Sequence, residues 1–226
     1  MHQQTRTIQS HCNPCAELID GCMMYDFARC VQFLEKKGKA LFDDGFRIYK
    51  QDHWLIYRLL VYMIGDEEGA ARGGMSLRKG ILLTGPVGCG KTSLMKLLSL
   101  FLPAHNRYAV KSCRDISFEF IKEGYQVVSH YSQPRLLFFN NRPNAYCFDD
   151  LGLESNLKYY GNECNVLGEI LLSRYDHFVT NGLMTHATTN LNSTEIEQMY
   201  GNRVRSRMRE MFNLVAFHKD AKDKRV

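Results

Sequence analysis

Eight residues between a short apolar run and a helical run constrain this chain more than any other feature. Residues 85–92 read GPVGCGKT, which matches the phosphate-binding loop pattern G-x-x-x-x-G-K-[ST]. The preceding run GILLT is typical of a strand, and residues 93–100 are typical of a helix. Since strand, loop and helix form the context that this pattern requires, nucleotide binding is favoured over a purely structural glycine-rich turn.

Each residue type in the loop suits an anionic ligand. Glycines let backbone N–H groups turn inward around phosphates, and a helix N-terminus adds unpaired donors and the positive end of its dipole. Lys91 is expected to reach the β and γ phosphates, and Thr92 to offer its hydroxyl to Mg²⁺. The predicted nucleotide-binding residues are Gly85, Pro86, Val87, Gly88, Cys89, Gly90, Lys91, Thr92 and Ser93.

Two later strand ends carry polar residues that fit the same site. The stretch 145–152 is predicted to be a short buried strand that ends in two carboxylates, Asp149 and Asp150, and residues 183–189 are predicted to form another strand, closed by Asn190. Ligands bind at the carboxyl edge of parallel sheets. We expect Asp149 to hold Mg²⁺, Asp150 to polarise the attacking water, and Asn190 to sense the γ phosphate. The alternatives are an Asp-Asp pair that caps a turn and a turn-forming asparagine.

Length and composition favour one sizeable α/β domain with a modest extension. The 226 residues are 45% apolar and carry a net charge of +5, which is compatible with nucleic acid but also with ordinary solvated surface charge. No apolar run approaches the roughly 20 residues that a membrane span needs. The N-terminus does not resemble a signal peptide, so we expect a cytoplasmic protein without a membrane partner.

The eight cysteines are expected to be mostly buried thiols, because nothing indicates export. Cys12 and Cys15 form a CxxC with His11 beside them and with Cys22 and Cys30 downstream. A zinc site is therefore conceivable, but the CxxC is not repeated at the usual spacing.

The remaining chain is predicted as alternating helices and strands. Residues 1–24 are expected to be a loosely ordered arm, and an amphipathic helix over 25–41 could dock on its own core or on a partner. Further predictions are a helix from Asp52 to Ile64 that stops at 65–69, a flexible approach over 72–74, a strand at 108–110, a helix over 115–128, a loop over 129–143, a helix over 166–179, a helix capped by Ser193 or Thr194, a strand at 212–217 and a charged tail over 219–226.

Four arginines follow Gly201 on the last predicted helix. Arg203 and Arg207 share one face, and Arg205 and Arg209 share another. Two basic faces are more than solubility demands.

Four motifs in order resemble one family. GILLTGPVGCGKTSL, CFDDLG, THATTNL and YGNRVRSRMREMF are similar to the DnaC/IstB-type AAA+ ATPases, which are bacterial helicase loaders and transposition helper proteins. The resemblance covers about residues 40–220. It implies an α/β P-loop NTPase fold, a three-layer α/β/α arrangement with a five-stranded parallel sheet, preceded by N-terminal helices. The implied domains are an arm and helix over 1–40 that could bind a partner, an AAA+ ATPase domain over 41–220 and a basic tail over 221–226.

The family further implies ATP and Mg²⁺ at the loop, and an arginine that completes the site of a neighbouring subunit. Arg207 is the first candidate for this finger and Arg203 the second, and a homo-oligomer is expected in the ATP state. The sequence departs from the wider AAA+ pattern in having Asp150 where many members have Glu. It also leaves no room after the fifth strand for the helical lid, so slow hydrolysis without partners is expected.

Three functions remain open on the sequence. The first is a slow ATPase that binds single-stranded or duplex DNA and acts in replication or transposition, with a replicative helicase or a transposase as its protein partner. The second is a nucleotide-gated adaptor with negligible hydrolysis. The third is a kinase, which the late position of the arginine helix disfavours.

Overall fold

The computed structural model describes residues 2–4, 14–134, 145–154, 157–159 and 162–225. The chain divides into two compact units, which are described separately. The first comprises Met1–Leu77 and Ser93–Ala104, and the second comprises Arg78–Thr92 and His105–Val226. None of the described helices is both long and apolar enough to cross a membrane.

The first unit contains a small antiparallel sheet and helices. Strands β1 (His2–Gln4), β2 (Ala16–Ile19) and β3 (Cys22–Tyr25) pair in the order β1-β3-β2. Helices α1 (Phe27–Leu41), α2 (His53–Ile64) and α3 (Glu67–Arg72) follow. Helix α4 (Lys91–Leu98) starts in the second unit and continues into this one.

Residues 16–25 were expected to belong to a loosely ordered arm, and instead they form a β-hairpin. Ile19 pairs with Cys22 across Asp20 and Gly21, whose φ angles are 49° and 77°. Asp-Gly with both residues at positive φ is the typical two-residue hairpin turn. The signal was present in the sequence, but the strands are only four residues long and too short for a clear alternation.

Helices α1 and α2 agree with the predicted helices. Asp26 caps α1 by accepting a hydrogen bond from the Arg29 N–H at 2.7 Å, and α2 ends at Gly65 in the left-handed conformation. The helix stop predicted at 65–69 is wrong in part, because a new helix, α3, begins at Glu67 and extends to Arg72. Asp66 caps this helix through the Gly69 N–H at 2.9 Å.

The second unit is built on a five-stranded parallel sheet. Its strands are β4 (Gly80–Thr84), β5 (Ala109–Ser112), β6 (Tyr146–Leu151), β9 (Thr185–Thr189) and β10 (Phe212–Ala216), in the order β10-β4-β9-β6-β5. The α/β class, the five parallel strands and the preceding helices are confirmed. Because β9 lies between β4 and β6, residues at its end have a neighbouring strand on both sides.

Four helices pack with this sheet around one apolar core. They are α5 (Cys113–Glu123), α6 (Tyr125–Ser132), α7 (Val166–Asn181) and α8 (Ser193–Met211). The single helix predicted over 115–128 is broken at Gly124. The φ angle of this residue is 63°, which lies outside the range of an α-helix. The loop predicted from 129 begins later, since α6 extends to Ser132; residues 135–144 lie outside the described chain.

Two further details differ from prediction. Asn192, rather than Ser193 or Thr194, caps α8. Its side chain accepts hydrogen bonds from the N–H groups of Thr194 and Glu195, and its own N–H donates to the Glu195 carboxylate. An unpredicted hairpin of β7 (Leu157–Tyr159) and β8 (Asn162–Cys164) precedes α7.

Candidate functional site

The predicted site residues meet at the carboxyl ends of three adjacent strands. The phosphate loop, residues 85–92, joins β4 to α4, Asp149 and Asp150 belong to β6, and Asn190 follows β9. Parallel pairing places these ends on one sheet edge. The order β4-β9-β6 therefore brings loop, asparagine and carboxylates together.

Lys91 is held inside the loop by three oxygen acceptors. Its Nζ donates to the carbonyls of Gly85 and Pro86, both at 2.9 Å, and to Oδ1 of Asn190. The side chain is almost fully buried, with 5% exposed. Asn190 and Lys91 are 99 positions apart in sequence, and their contact joins the loop to the end of β9 directly.

Burial has an electrostatic consequence for Lys91. It lowers the pKa of the ammonium below its usual value, an effect that the Asp150 and Asp149 carboxylates oppose. Neutral carbonyl and amide oxygens compensate a buried cation only in part. An anion at this point would stabilise the charged form of Lys91, and a phosphate supplies such an anion.

Thr92 and Asp149 lie on facing elements and contact each other. The Thr92 hydroxyl donates to Oδ1 of Asp149 at 3.0 Å. A hydroxyl beside a carboxylate is a donor set that Mg²⁺ accepts, since this ion prefers hard oxygen ligands. The two residues predicted as metal ligands are thus placed where one ion could contact both.

Asp150 is aimed by an irregularity in β6. Its φ is 58°, and the register between β6 and β9 shifts between Phe148 and Leu151. A bulge of this kind redirects a side chain out of the strand's regular alternation, and aspartate tolerates the left-handed region better than most residues. Burial and the neighbouring Asp149 raise the pKa of Asp150, while Lys91 and Arg225 oppose the rise.

The rest of the loop has the shape that its sequence predicts. Gly88 and Gly90 have φ angles of 78° and 96°, which side-chain-bearing residues rarely adopt. Cys89 is buried with its sulfur 4.0 Å from the Lys91 Nζ, whereas Val87 is exposed. Ser93 follows Thr92 within α4.

Solved structures share this fold. The DnaC helicase loader matches with a TM-score of 0.54 at 18% identity, over 81% of this chain and 99% of that one. A protein described as a primosome component from Streptococcus pyogenes serotype M3 matches with a TM-score of 0.54 at 14% identity, over 83% and 91%. The chain has the fold of the DnaC helicase loader. No family model and no curated protein sequence matches it.

The DnaC-type fold that the four motifs implied is therefore confirmed. At these identities the likeness concerns the fold, and the roles of individual residues rest on the site itself.

Neither finger candidate forms a hydrogen bond or ion pair with Asp149 or Asp150 among the described residues. Arg207 stacks on Tyr175, with its guanidinium 5.0 Å from the ring centroid, and donates to the Arg203 carbonyl at 3.3 Å. Arg205 pairs with Glu197 at 2.9 Å. The Arg203 side chain is exposed, and no hydrogen bond or ion pair joins it to any described residue.

Two supporting residues at this edge were missed by the sequence reading. Thr188 donates to Asp149 Oδ1 at 2.7 Å and accepts from the Asp150 N–H at 2.8 Å. Glu154, buried behind the acidic pair, accepts hydrogen bonds from the Gly152 N–H and the Tyr200 hydroxyl. Thr188 carried a weak signal, since a buried threonine one residue before the strand end must find a partner.

Three of the cysteines of the zinc alternative, Cys15, Cys22 and Cys30, lie among the described residues. Cys15 and Cys30 are both buried and close, with the Cys15 sulfur 3.7 Å from the Arg29 carbonyl. His11 and Cys12 lie outside the described residues. Within those that are described, no group of three metal-ligating side chains occurs.

Proposed function

We propose that this protein binds and hydrolyses ATP with Mg²⁺ and acts in DNA replication or transposition as a helicase loader or transposase helper. One observation carries the ATPase part: Lys91, Thr92, Asp149, Asp150 and Asn190 converge at one sheet edge from three elements. The shared fold with the DnaC helicase loader supports the loader role. The transposase-helper role rests on the motif resemblance alone.

The residues have distinct roles in this proposal. The phosphate loop and Lys91 hold the β and γ phosphates, and the Lys91 ammonium exchanges its present oxygen acceptors for phosphate oxygens. Thr92 and Asp149 would hold Mg²⁺, which when bound neutralises charge on the phosphates. Asp150 accepts a proton from the attacking water, and its raised pKa favours that step.

Asn190 is proposed to report the γ phosphate to the rest of the fold. Its side-chain oxygen now accepts from the Lys91 Nζ. If Lys91 turns to the phosphate, Asn190 loses this bond and its amide can orient the water instead. In this role, the hydrogen bond between Lys91 and Asn190 belongs to the ligand-free state, and the ligand replaces it.

A neighbouring subunit would supply the remaining positive charge. An arginine delivered to the γ phosphate accelerates hydrolysis roughly 10³- to 10⁵-fold in NTPases that use one. Arg203 is the more available candidate, because Arg207 is already stacked on Tyr175. This requires a homo-oligomer in the ATP state, with the basic faces of α8 also available to DNA phosphates. The N-terminal region, residues 1–40, is the proposed partner-binding segment.

Calorimetry with ATP·Mg tests the nucleotide site. We expect Lys91→Ala to weaken binding roughly 100-fold or more, since a buried charge-assisted contact is lost. Lys96→Ala is the matched control, because Lys96 is exposed on the same helix α4, and its affinity should equal that of the wild type. Equal binding by Lys91→Ala and the wild type rejects the site.

Turnover separates the ATPase from the nucleotide-gated adaptor. Asp150→Asn should keep ATP binding and lower phosphate release roughly 10²- to 10⁴-fold, measured with and without single-stranded DNA. Mixing Arg203→Ala with Asp150→Asn subunits should restore part of the turnover if the arginine acts across an interface. Negligible turnover by the wild type under all conditions, with full loading activity of Asp150→Asn, supports the adaptor.

A further inference from the structure

The segment formed by residues 217–225 returns to the phosphate loop. The Phe217 N–H donates to the Thr84 carbonyl at 2.8 Å, which continues the pairing of β10 with β4. A turn follows, with the Ala221 N–H donating to the His218 carbonyl at 2.9 Å. The Lys224 N–H then donates to the Gly88 carbonyl at 3.0 Å. The charged tail predicted after residue 218 is therefore docked at the nucleotide site.

The contact is close enough to depend on glycines. A Cβ built on Gly88 would lie 2.1 Å from the carboxylate carbon of Asp223, and one on Gly85 would lie 2.7 Å from the Cβ of Phe217. Both separations are far inside van der Waals contact. The loop glycines thus accommodate this segment as well as serving the loop's own conformation.

Docking places the Lys224 ammonium beside the loop, and Arg225 is the next residue. The Lys224 ammonium lies 3.8 Å from the position that a Cβ on Gly90 would take, and 4.8 Å from the Phe217 ring centroid. The Arg225 N–H donates to Asp223 Oδ1 at 2.9 Å, which fixes the start of that side chain. The Arg225 side chain is exposed.

Two other cations of the same segment form no side-chain contact of this kind among the described residues. Lys219 and Lys222 are exposed, and no described residue forms a hydrogen bond or ion pair with either side chain. Arg225 is exposed as well, so among the four cations of these nine residues the docking distinguishes Lys224, whose ammonium lies beside Gly90 and Phe217.

We propose that Lys224 and Arg225, docked on the phosphate loop through the Lys224 N–H and Phe217, are additional phosphate-binding residues for a nucleoside triphosphate. Lys224 contacts the β phosphate near Gly90, and Arg225, the next residue along the docked segment, contacts the γ phosphate. The inference deepens the proposed function and rests on it. It gives the site two positive charges in its own chain, besides any arginine from a neighbouring subunit.

The test compares two double variants that remove equal charge from one segment. Lys224→Gln with Arg225→Gln removes the proposed phosphate contacts and keeps the backbone N–H that docks the segment. Lys219→Gln with Lys222→Gln is the matched control. Affinities for ATP·Mg, ADP·Mg and AMP are measured by calorimetry on the full chain, after thermal unfolding has shown that each variant folds.

We expect the 224/225 variant to bind ATP·Mg roughly 100-fold more weakly than the wild type, because each charge-assisted contact contributes about tenfold or more. AMP affinity and the control variant should change by less than about threefold, as for exposed charges. Arg225→Gln alone should weaken ATP more than ADP. The charge-keeping variant Lys224→Arg with Arg225→Lys should retain most of the affinity.

Unchanged ATP affinity in the 224/225 variant, while the wild type binds and Lys91→Ala does not, overturns this inference and leaves the nucleotide site intact. Tighter ATP binding in that variant also overturns it, and would show that the segment obstructs the loop. If the wild type itself binds no ATP·Mg, the proposed function and this inference fail together.

Discussion

The hydroxyl of Thr188 donates a hydrogen bond to Oδ1 of Asp149 at 2.7 Å, and it also accepts from the Asp150 N–H at 2.8 Å. One side chain on β9 therefore holds both the Asp149 carboxylate and the Asp150 backbone of β6. The threonine is fully buried, so water cannot replace it when it is removed.

Thr188→Val should disturb this arrangement with little change in volume. We expect the free energy of unfolding to fall by about 1 to 3 kcal/mol, because the Asp150 N–H loses its partner in a buried place. ATP turnover should fall roughly 10- to 100-fold as the carboxylates lose their alignment. Urea unfolding and a phosphate-release assay measure the two effects.

Thr189→Val is the control for this prediction. Thr189 is equally buried, and its hydroxyl donates to the Leu151 carbonyl and accepts from the Leu191 N–H. Thr189→Val should therefore lower the free energy of unfolding by a similar amount, while it lowers ATP turnover much less. Equal losses of turnover in the two variants would mean that Thr188 acts only through stability.

Asp150 combines a left-handed backbone conformation with a charge that burial disfavours. Two substitutions distinguish the effects of these two features on stability. Asparagine tolerates φ of 58° almost as well as aspartate, so Asp150→Asn removes the charge and keeps the conformation. Asp150→Ala removes the charge and adds strain of about 1 to 2 kcal/mol. We expect Asp150→Asn to melt slightly above the wild type at pH 7, and Asp150→Ala to melt below Asp150→Asn.

The pH dependence of this difference has a definite sign. Because the pKa of Asp150 is raised in the folded chain, the folded state takes up a proton more readily than the unfolded state, and the wild type gains relative stability as the pH falls. The advantage of Asp150→Asn should therefore shrink between pH 7 and pH 4. A constant advantage in calorimetric melts across this range contradicts the assignment.

Local signals sufficed to predict the sheet and to select most of the residues that meet at the candidate site. The loop motif fixed β4 and the start of α4, and Asp149 and Asn190 each followed an apolar run of strand length. Since parallel strands end at one edge, three separate motifs implied one site without any long-range information.

What the sequence did not reveal depends on contacts between distant residues. The docking of Lys224 on Gly88 joins positions 136 apart, and nothing in a run of charged residues distinguishes Lys224 from Lys222. Similarly, Arg174 was placed on a predicted helix, but among the described residues it is one of the largest fully buried side chains. Periodicity identifies which face is apolar, but it does not show which cation that face can enclose.

The burial of Arg174 gives a prediction about stability alone. Its guanidinium donates to the Thr185 hydroxyl and to the carbonyls of Tyr131 and Met184, at 2.8 to 2.9 Å, and stacks 5.3 Å from the Tyr146 ring centroid. Lysine cannot reproduce this planar set of donors. Arg174→Lys should lower the free energy of unfolding by roughly 2 to 4 kcal/mol.

Arg207→Lys is the matched substitution at the surface, because Arg207 also stacks on a tyrosine but is only partly buried. Its effect on unfolding should stay within about 0.5 kcal/mol. Similar losses in urea unfolding at the two positions would show that stacking, rather than the buried hydrogen bonds, determines the cost.

His186 should make the fold sensitive to acid. It is buried in β9, where its Nδ1 accepts from the Ile81 N–H at 3.1 Å, and burial lowers its pKa from 6.5 to about 3. Between these values the unfolded chain binds a proton that the folded chain does not, so stability present above pH 6.5 is lost as the pH falls. At about 1.4 kcal/mol per unit, the loss from pH 6.5 to pH 4.5 is about 3 kcal/mol.

His186→Asn isolates this contribution, because the asparagine oxygen can take the acceptor position of Nδ1 and does not titrate. We expect urea unfolding of the variant to depend less steeply on pH than that of the wild type, so that the two curves converge toward pH 4.5. His177→Asn on helix α7 is the control and should parallel the wild type. If His186→Asn also runs parallel to the wild type, another group causes the acid sensitivity, because no proton is then taken up at β9 on unfolding.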